Sequence, residues 1–304
     1  MLLFIEQLLN GLQLGITLFL MSAGLTLVFG IMQVINLAHG SFYMIGAYVG
    51  ATVTARTGSF ILGVLAALPA AALAGMLVEM LVMRRLYRKD HLDQVLATFG
   101  LIMFFNELTR MIWGRQPLFM DVPPWLAGSV EIIPGIPYPG YRIAVIVVGI
   151  LVGVLLYLLF TRTRIGMQIR AGASNREMAG ALGVNIRLLY TLVFGLGTLL
   201  AGLAGVMAGP ILAVEAGMGE SILILTFVVI VIGGIGSIRG ALLGALLVGL
   251  VDTLGRAFLP VLLRLFLSAA YADGIAASLA SMSIYILMAA ILVCRPRGLL
   301  PAHG

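Results

Sequence analysis

Apolar runs of about twenty residues recur along the whole chain, and few folds tolerate that. A helix that crosses a bilayer needs roughly 20 mostly apolar residues. Runs of that kind lie near residues 8–30, 60–83, 94–113, 142–160, 188–209, 221–238, 240–258 and 276–294. A ninth, 40–55, follows the break Asn36-Leu37-Ala38-His39-Gly40 and either crosses or only dips in. Inside lipid no water is present to satisfy backbone N–H and C=O groups, so each segment must bond them within itself, as a helix does. The expected fold is an all-α polytopic membrane protein of about eight or nine spans, with broken helices, forming one transmembrane domain over residues 1–304.

Composition agrees, because 62% of the residues are apolar and 10% charged. A soluble domain carries far more charge. The net charge of +6 comes from basic residues gathered between the apolar runs rather than from a continuous stripe. That arrangement speaks for membrane topology and against nucleic-acid binding. Cys294 is the lone cysteine, and His39, His91 and His303 are scattered, so neither a disulfide nor a metal centre is expected. The first thirty residues lack a basic start and run directly into further apolar sequence, which reads as a retained segment rather than a cleaved signal.

Basic residues orient the stack. Arg84, Arg85, Arg88 and Lys89 share one connection, Arg162, Arg164, Arg170, Arg176 and Arg187 another, and Arg295 and Arg297 close the chain. By the positive-inside rule these are cytoplasmic. The connection 114–141 has few basic residues, carries Asp121 and Glu131, and contains Pro123, Pro124, Pro134, Pro137 and Pro139. It belongs outside, and the side of the N-terminus is left open.

Glycines spaced four apart, above all Gly236, Gly240 and Gly244, predict a tight helix interface. Two segments interrupt apolar sequence with polar and glycine residues, Gln33 to Gly40 and Gly233 to Gly240, and interrupted helices in both halves are a mark of transporters. Asn36, His39 and Gly40, with Gly234 and Gly236, are therefore candidates to line a path. The competing reading is structural: Asn36 and His39 cap broken helix ends, and the glycines only pack. Glu107 with Arg110, and Asp252 with Arg256, put charges into apolar runs. An ion relay is conceivable, but opposite charges three or four apart on a helix neutralise each other locally.

The cytoplasmic connection 161–187 carries most information. Ser174 and Glu177 have the spacing of a capping box, and Gly183 supplies a left-handed exit. Between them Asn175, Arg176, Met178, Ala179, Ala181 and Leu182 would form a short, partly apolar helix. Such a helix either docks into a partner or lies on the lipid surface. Glu177-Met178-Ala179, three residues and then Gly183 resembles the glutamate, two alanines, three residues and glycine of ATP-binding-cassette importer permeases, with methionine second. It is joined by Ile35-Asn36-Leu37-Ala38-His39-Gly40-Ser41, Ala201-Gly202-Leu203-Ala204-Gly205, Gly233-Gly234-Ile235-Gly236-Ser237-Ile238-Arg239-Gly240 and Arg297-Gly298-Leu299-Leu300-Pro301. Together these resemble the branched-chain amino acid permease family over almost the whole chain.

The resemblance implies a bacterial inner-membrane importer that moves leucine, isoleucine and valine by alternating access. It implies a second, LivM-like permease chain, two cytosolic ATPases that hold ATP and Mg, and an external substrate-binding protein. Ser174 to Gly183 would then be the coupling helix that meets an ATPase. Urea, short amides or other amino acids are alternative substrates. The residues independently support a subunit without a motor, since a phosphate-binding loop needs Gly-x-x-x-x-Gly-Lys-Ser/Thr and the only lysine, Lys89, is not in one. No catalytic residues or resident cofactor are expected. The rival of another class is an ion-coupled secondary transporter using the Glu107 and Asp252 regions.

Overall fold

The computed structural model describes residues 2–87, 89–133 and 135–301; Arg88, Pro134 and His303 lie outside them. Its helices are α1 (Leu2–Met32), α2 (His39–Thr57), α3 (Phe60–Val78), α4 (Arg84–Leu86), α5 (His91–Trp113), α6 (Gly140–Arg162), α7 (Arg164–Ser174), α8 (Arg176–Ala181), α9 (Ile186–Ala208), α10 (Met218–Gly233), α11 (Ile238–Leu263) and α12 (Ala269–Cys294). A π-helical turn, Glu79–Met83, joins α3 to α4 without interruption. Small polar residues set several starts: the side chains of Ser59, Thr163, Asn185 and Ser237 accept from backbone amides in the first turns of α3, α7, α9 and α11.

Among the described residues, seven helices are long and apolar enough to cross a membrane: α1, α3 with its extension to Leu86, α5, α6, α9, α11 and α12. The remaining two expected spans differ. The 19-residue α2 is less apolar, and α10 stops at Gly233 after 16 residues. At 1.5 Å per residue α10 covers about 24 Å, short of the roughly 30 Å hydrocarbon core. The expected span 221–238 therefore ends early, because Gly234 and Gly236 take positive φ and turn the chain.

Burial runs opposite to that of a water-soluble fold. α1 and α9 are enclosed over most of their length, while Leu65, Leu73, Phe104, Leu151 and Leu155 point outward from the surrounding helices. Lipid solvates such surfaces, so the chain is a multi-pass membrane protein.

α1 and α9 run antiparallel: Tyr190 at the start of α9 donates to the Ile31 carbonyl at the end of α1, and Gly24 meets Gly197 further along. The packing repeats in opposite senses. α3 lies on α9 as α11 lies on α1, α2 packs on α3 as α10 packs on α11, and α5 touches α2 as α12 touches α10. Two halves, α1-α2-α3-α5 and α9-α10-α11-α12, are thus related by an approximate two-fold in the membrane plane. Inverted repeats of this kind are a recurrent way to build transporters.

The outer connection adds a little β-structure to the expected helices: a 3₁₀ turn, Pro124–Leu126, and an antiparallel hairpin of β1 (Ser129–Ile133) and β2 (Ile136–Pro139). Tyr138 donates to Asn10 of α1 at 3.2 Å, and Arg142 donates to the same oxygen. The start of α1 therefore shares the outer side with 114–141, which resolves the question the sequence left open.

Candidate functional site

The most unusual point of the fold is where α2 and α10 begin. His39 Nε2 lies 3.0 Å from the place a side chain on Gly24 would occupy, and Gly24 faces Gly197, the midpoint of the 23-residue α9. α2 therefore starts deep in the membrane, reached by the re-entrant segment 33–38. α10 starts at similar depth, reached from the outside by 209–217. The two starts abut: a Cβ on Gly40 would collide with the Gly219 carbonyl, and a Cβ on Gly219 with that of Gly40. Neither first turn has a side-chain cap. Turn carbonyls accept from several first-turn amides, those of Ser41 and Glu220 among them, yet two helix N-termini, each with the partial positive charge of its dipole, converge at depth.

Asn36 and His39 sit at this junction, both fully buried. Neither the carboxamide atoms of Asn36 nor the ring nitrogens of His39 have a hydrogen-bond partner within the chain. His39 approaches the Met21 backbone without reaching hydrogen-bond geometry. Side-chain capping by these residues is therefore not what the geometry shows, since an N-cap accepts from the next turn. Beside them α2, α5 and α10 meet along a closed seam, too narrow to admit a water molecule, formed by Gly40, Ser41, Met44, Ile102, Asn106 and Glu220. Asn106 donates to the Glu220 carboxylate at 2.6 Å.

Glu220 is exposed on the bare chain, as are Glu107 and Arg110 on the neighbouring α5. Glu107 and Arg110 pair at 2.5 Å. Carboxylates in a membrane face are costly unless they meet water or protein, so this seam is unsuited to lipid. Asp252 and Arg256 pair at 2.8 Å on α11, well away from it in sequence and with Asp252 largely buried.

The second break is of another kind. Gly234 and Gly236 turn the chain, Ser237 caps α11, and Gly240 packs against Gly233. The amides of Leu299 and Leu300 donate to the carbonyls of Ile232 and Gly233, each at 2.9 Å. Gly236 lies beside Gly30 of α1, toward the cytoplasmic end, so Gly234 and Gly236 do not join the Asn36–His39–Gly40 cluster. Only Gly240 and Gly244 of the predicted glycine run lie in the α10–α11 interface.

On the cytoplasmic side the short helix is present with a different cap. Ser174 is the last residue of α7; Asn175 is extended and its side chain accepts from the Met178 amide at 2.9 Å. The expected Ser174–Glu177 box is thus displaced by one residue, because α7, an amphipathic helix the reading missed, runs on through Ser174. The exit is as expected: Gly183 has φ +90°, its amide donates to Gly180 and that of Val184 to Ala179, closing a Schellman motif. Met178 and Leu182 stand out from α8, as do Arg176, Glu177 and Ala181, but Ala179 is 3% exposed and packs inward. Ala179 therefore takes no part in the exposed face of α8.

Sequence reading also missed a lock at the foot of α9. The buried Glu79 carboxylate accepts from Arg84 at 2.9 Å, Tyr87 at 2.7 Å and Thr191 at 2.6 Å. Burial, reinforced by the carboxylate, pushes the Tyr87 hydroxyl well above its ordinary range, so it remains a donor. Glu79 occupies the π turn, a local widening that often marks functional positions. The signal was an isolated Glu five residues before Arg84 in an apolar run. Glu220 was legible in the same way, as an acid directly after Gly217-Met218-Gly219.

Inverted halves, deep helix starts and a polar seam that lipid cannot cover define a membrane transport protein. The chain belongs to the branched-chain amino acid transport system permease family, whose model matches residues 7–293. It is a transport subunit and not an enzyme. The high-affinity branched-chain amino acid transport system permease protein BraD of Pseudomonas aeruginosa is 33% identical, over 83% of this chain and 86% of that protein. LivH of Escherichia coli, named for the same kind of system, is 30% identical over 84% and 87%. The ribose import permease protein RbsC of Escherichia coli is 27% identical over 82% and 77%. No solved structure matches the chain.

Proposed function

We propose that this chain is the membrane-spanning permease of an ATP-driven importer that carries branched-chain amino acids across the bacterial inner membrane. The observation that carries the reading is the meeting of α2 and α10 at Gly40 and Gly219, beside buried, unpartnered Asn36 and His39. Substrate passes along the seam of Ser41, Asn106 and Glu220, which a second, LivM-like permease chain completes. Rocking of one inverted half against the other, pivoting near Gly40 and Gly219, alternates access. ATP and Mg reside on two cytosolic ATPases, each ATPase meeting one permease through Met178, Leu182 and their neighbours on α8. An external binding protein delivers the substrate. The names of BraD and LivH support the substrate class, and the kinship to a ribose permease makes the measurement of substrate essential.

The test is reconstitution in liposomes with the second permease chain, the ATPases and the binding protein, following labelled leucine, isoleucine and valine against ribose and urea. ATP-dependent uptake of the branched-chain amino acids is expected. Uptake by this chain alone under an ion gradient would sink the proposal. Replacing Met178 and Leu182 together by Glu should lower uptake by about thirtyfold while the chain still inserts, as loss of two apolar anchors at an interface does.

A further inference from the structure

A cleft of about 700 Å³ opens between α1, α6, α7 and α11. It lies at the cytoplasmic end, since it is walled by Ile31, Phe160 and Thr161, beside the basic connections. Its depths are apolar, formed by Phe19, Leu27, Leu156 and Leu242, and its rim carries Arg170 and Arg239. None of its lining residues is acidic. Among the described residues neither arginine has an ion-pair partner; Arg239 rests 5.9 Å over the ring of Tyr157. The Thr26 hydroxyl, buried and without a partner in the chain, belongs to the same lining. Arg170 is carried by the amphipathic α7, a helix suited to lying in the headgroup plane.

We infer that this cleft is a binding site for an anionic phospholipid of the cytoplasmic leaflet, its phosphate between Arg170 and Arg239 and an acyl chain along Phe19 and Leu156. The chemistry selects that occupant. A zwitterionic amino acid would bring an ammonium group that nothing in the lining can neutralise. A soluble anion would leave the apolar depth unfilled. A phospholipid supplies both the charge and the chain, and basic pockets between helices on this side of a membrane hold such headgroups.

Native mass spectrometry of the protein purified in mild detergent tests the site, with palmitoyl-oleoyl phosphatidylglycerol and phosphatidylcholine added in equal amounts. Phosphatidylglycerol should be retained preferentially, one molecule per permease chain. Replacing both arginines (Arg170→Gln with Arg239→Gln) should weaken that retention by about thirtyfold. Equal retention of the two lipids by the unaltered protein overturns the inference, whatever the variant does. So does full retention of phosphatidylglycerol by the double variant. Gly153, whose missing side chain would point 3.4 Å from Phe19 in the cleft wall, gives a second arm: Gly153→Phe should expel both lipids.

Discussion

The two breaks look alike in sequence, glycine and polar residues inside apolar runs, yet they are built differently. At 233–240 the turn is closed: Ser237 caps α11, the Ser237 amide donates to Gly234, and residues 299 and 300 cover Ile232 and Gly233. At 33–40 the backbone folds back into the membrane and leaves Asn36 and His39 buried without partners. A satisfied break is a joint. An unsatisfied one stores a cost of about 1–3 kcal/mol per lost bond and persists only where something else rewards it, and passage of a polar solute is such a reward.

That contrast can be attacked directly. The largest effect is expected at Gly40→Val, because the new side chain meets the Gly219 backbone, which cannot yield as a flexible side chain does. Overpacking against main chain should cost about 3 kcal/mol, read as loss of a monodisperse peak in detergent and of all uptake. Next comes Asn36→Leu. If the carboxamide serves the solute and not the fold, removing it should raise thermal stability by about 1–2 kcal/mol, while uptake falls. A drop in stability would mean that Asn36 is a structural cap after all, and the two breaks would then be alike. The smallest effect belongs to Ser237→Ala, which should lower stability by about 1 kcal/mol and leave uptake near its original level at saturating substrate. A large uptake loss there would give the inner break a share in transport that its closed geometry does not suggest.

The apolar runs made the membrane class and most helices legible, since length and hydropathy dictate them physically. The inverted repeat was hidden. Content alone pairs Gln33–Gly40 with Gly233–Gly240, whereas topology pairs 33–38 with 209–217, a segment that shares depth and direction change but almost no residue types. The cap of α8 was read one residue early because Ser174 and Asn175 are both good capping residues, and only the end of α7 decides between them. Glu79 and Thr191 could not be paired beforehand, as 112 residues separate them and packing of α3 on α9 brings them together. The local pairs Glu107–Arg110 and Asp252–Arg256 needed no tertiary information, because helix periodicity alone sets them in reach.

The lock at Glu79 also bears on how motion travels. Only residues 182–185 separate α8 from α9, and Thr191, in the second turn of α9, is bolted to α3 through Glu79. On the proposed coupling role, a shove delivered to the protruding Met178 and Leu182 would have almost no slack in which to dissipate. It would arrive on both inverted halves at once, as torque on a short crank and not as tension in a tether.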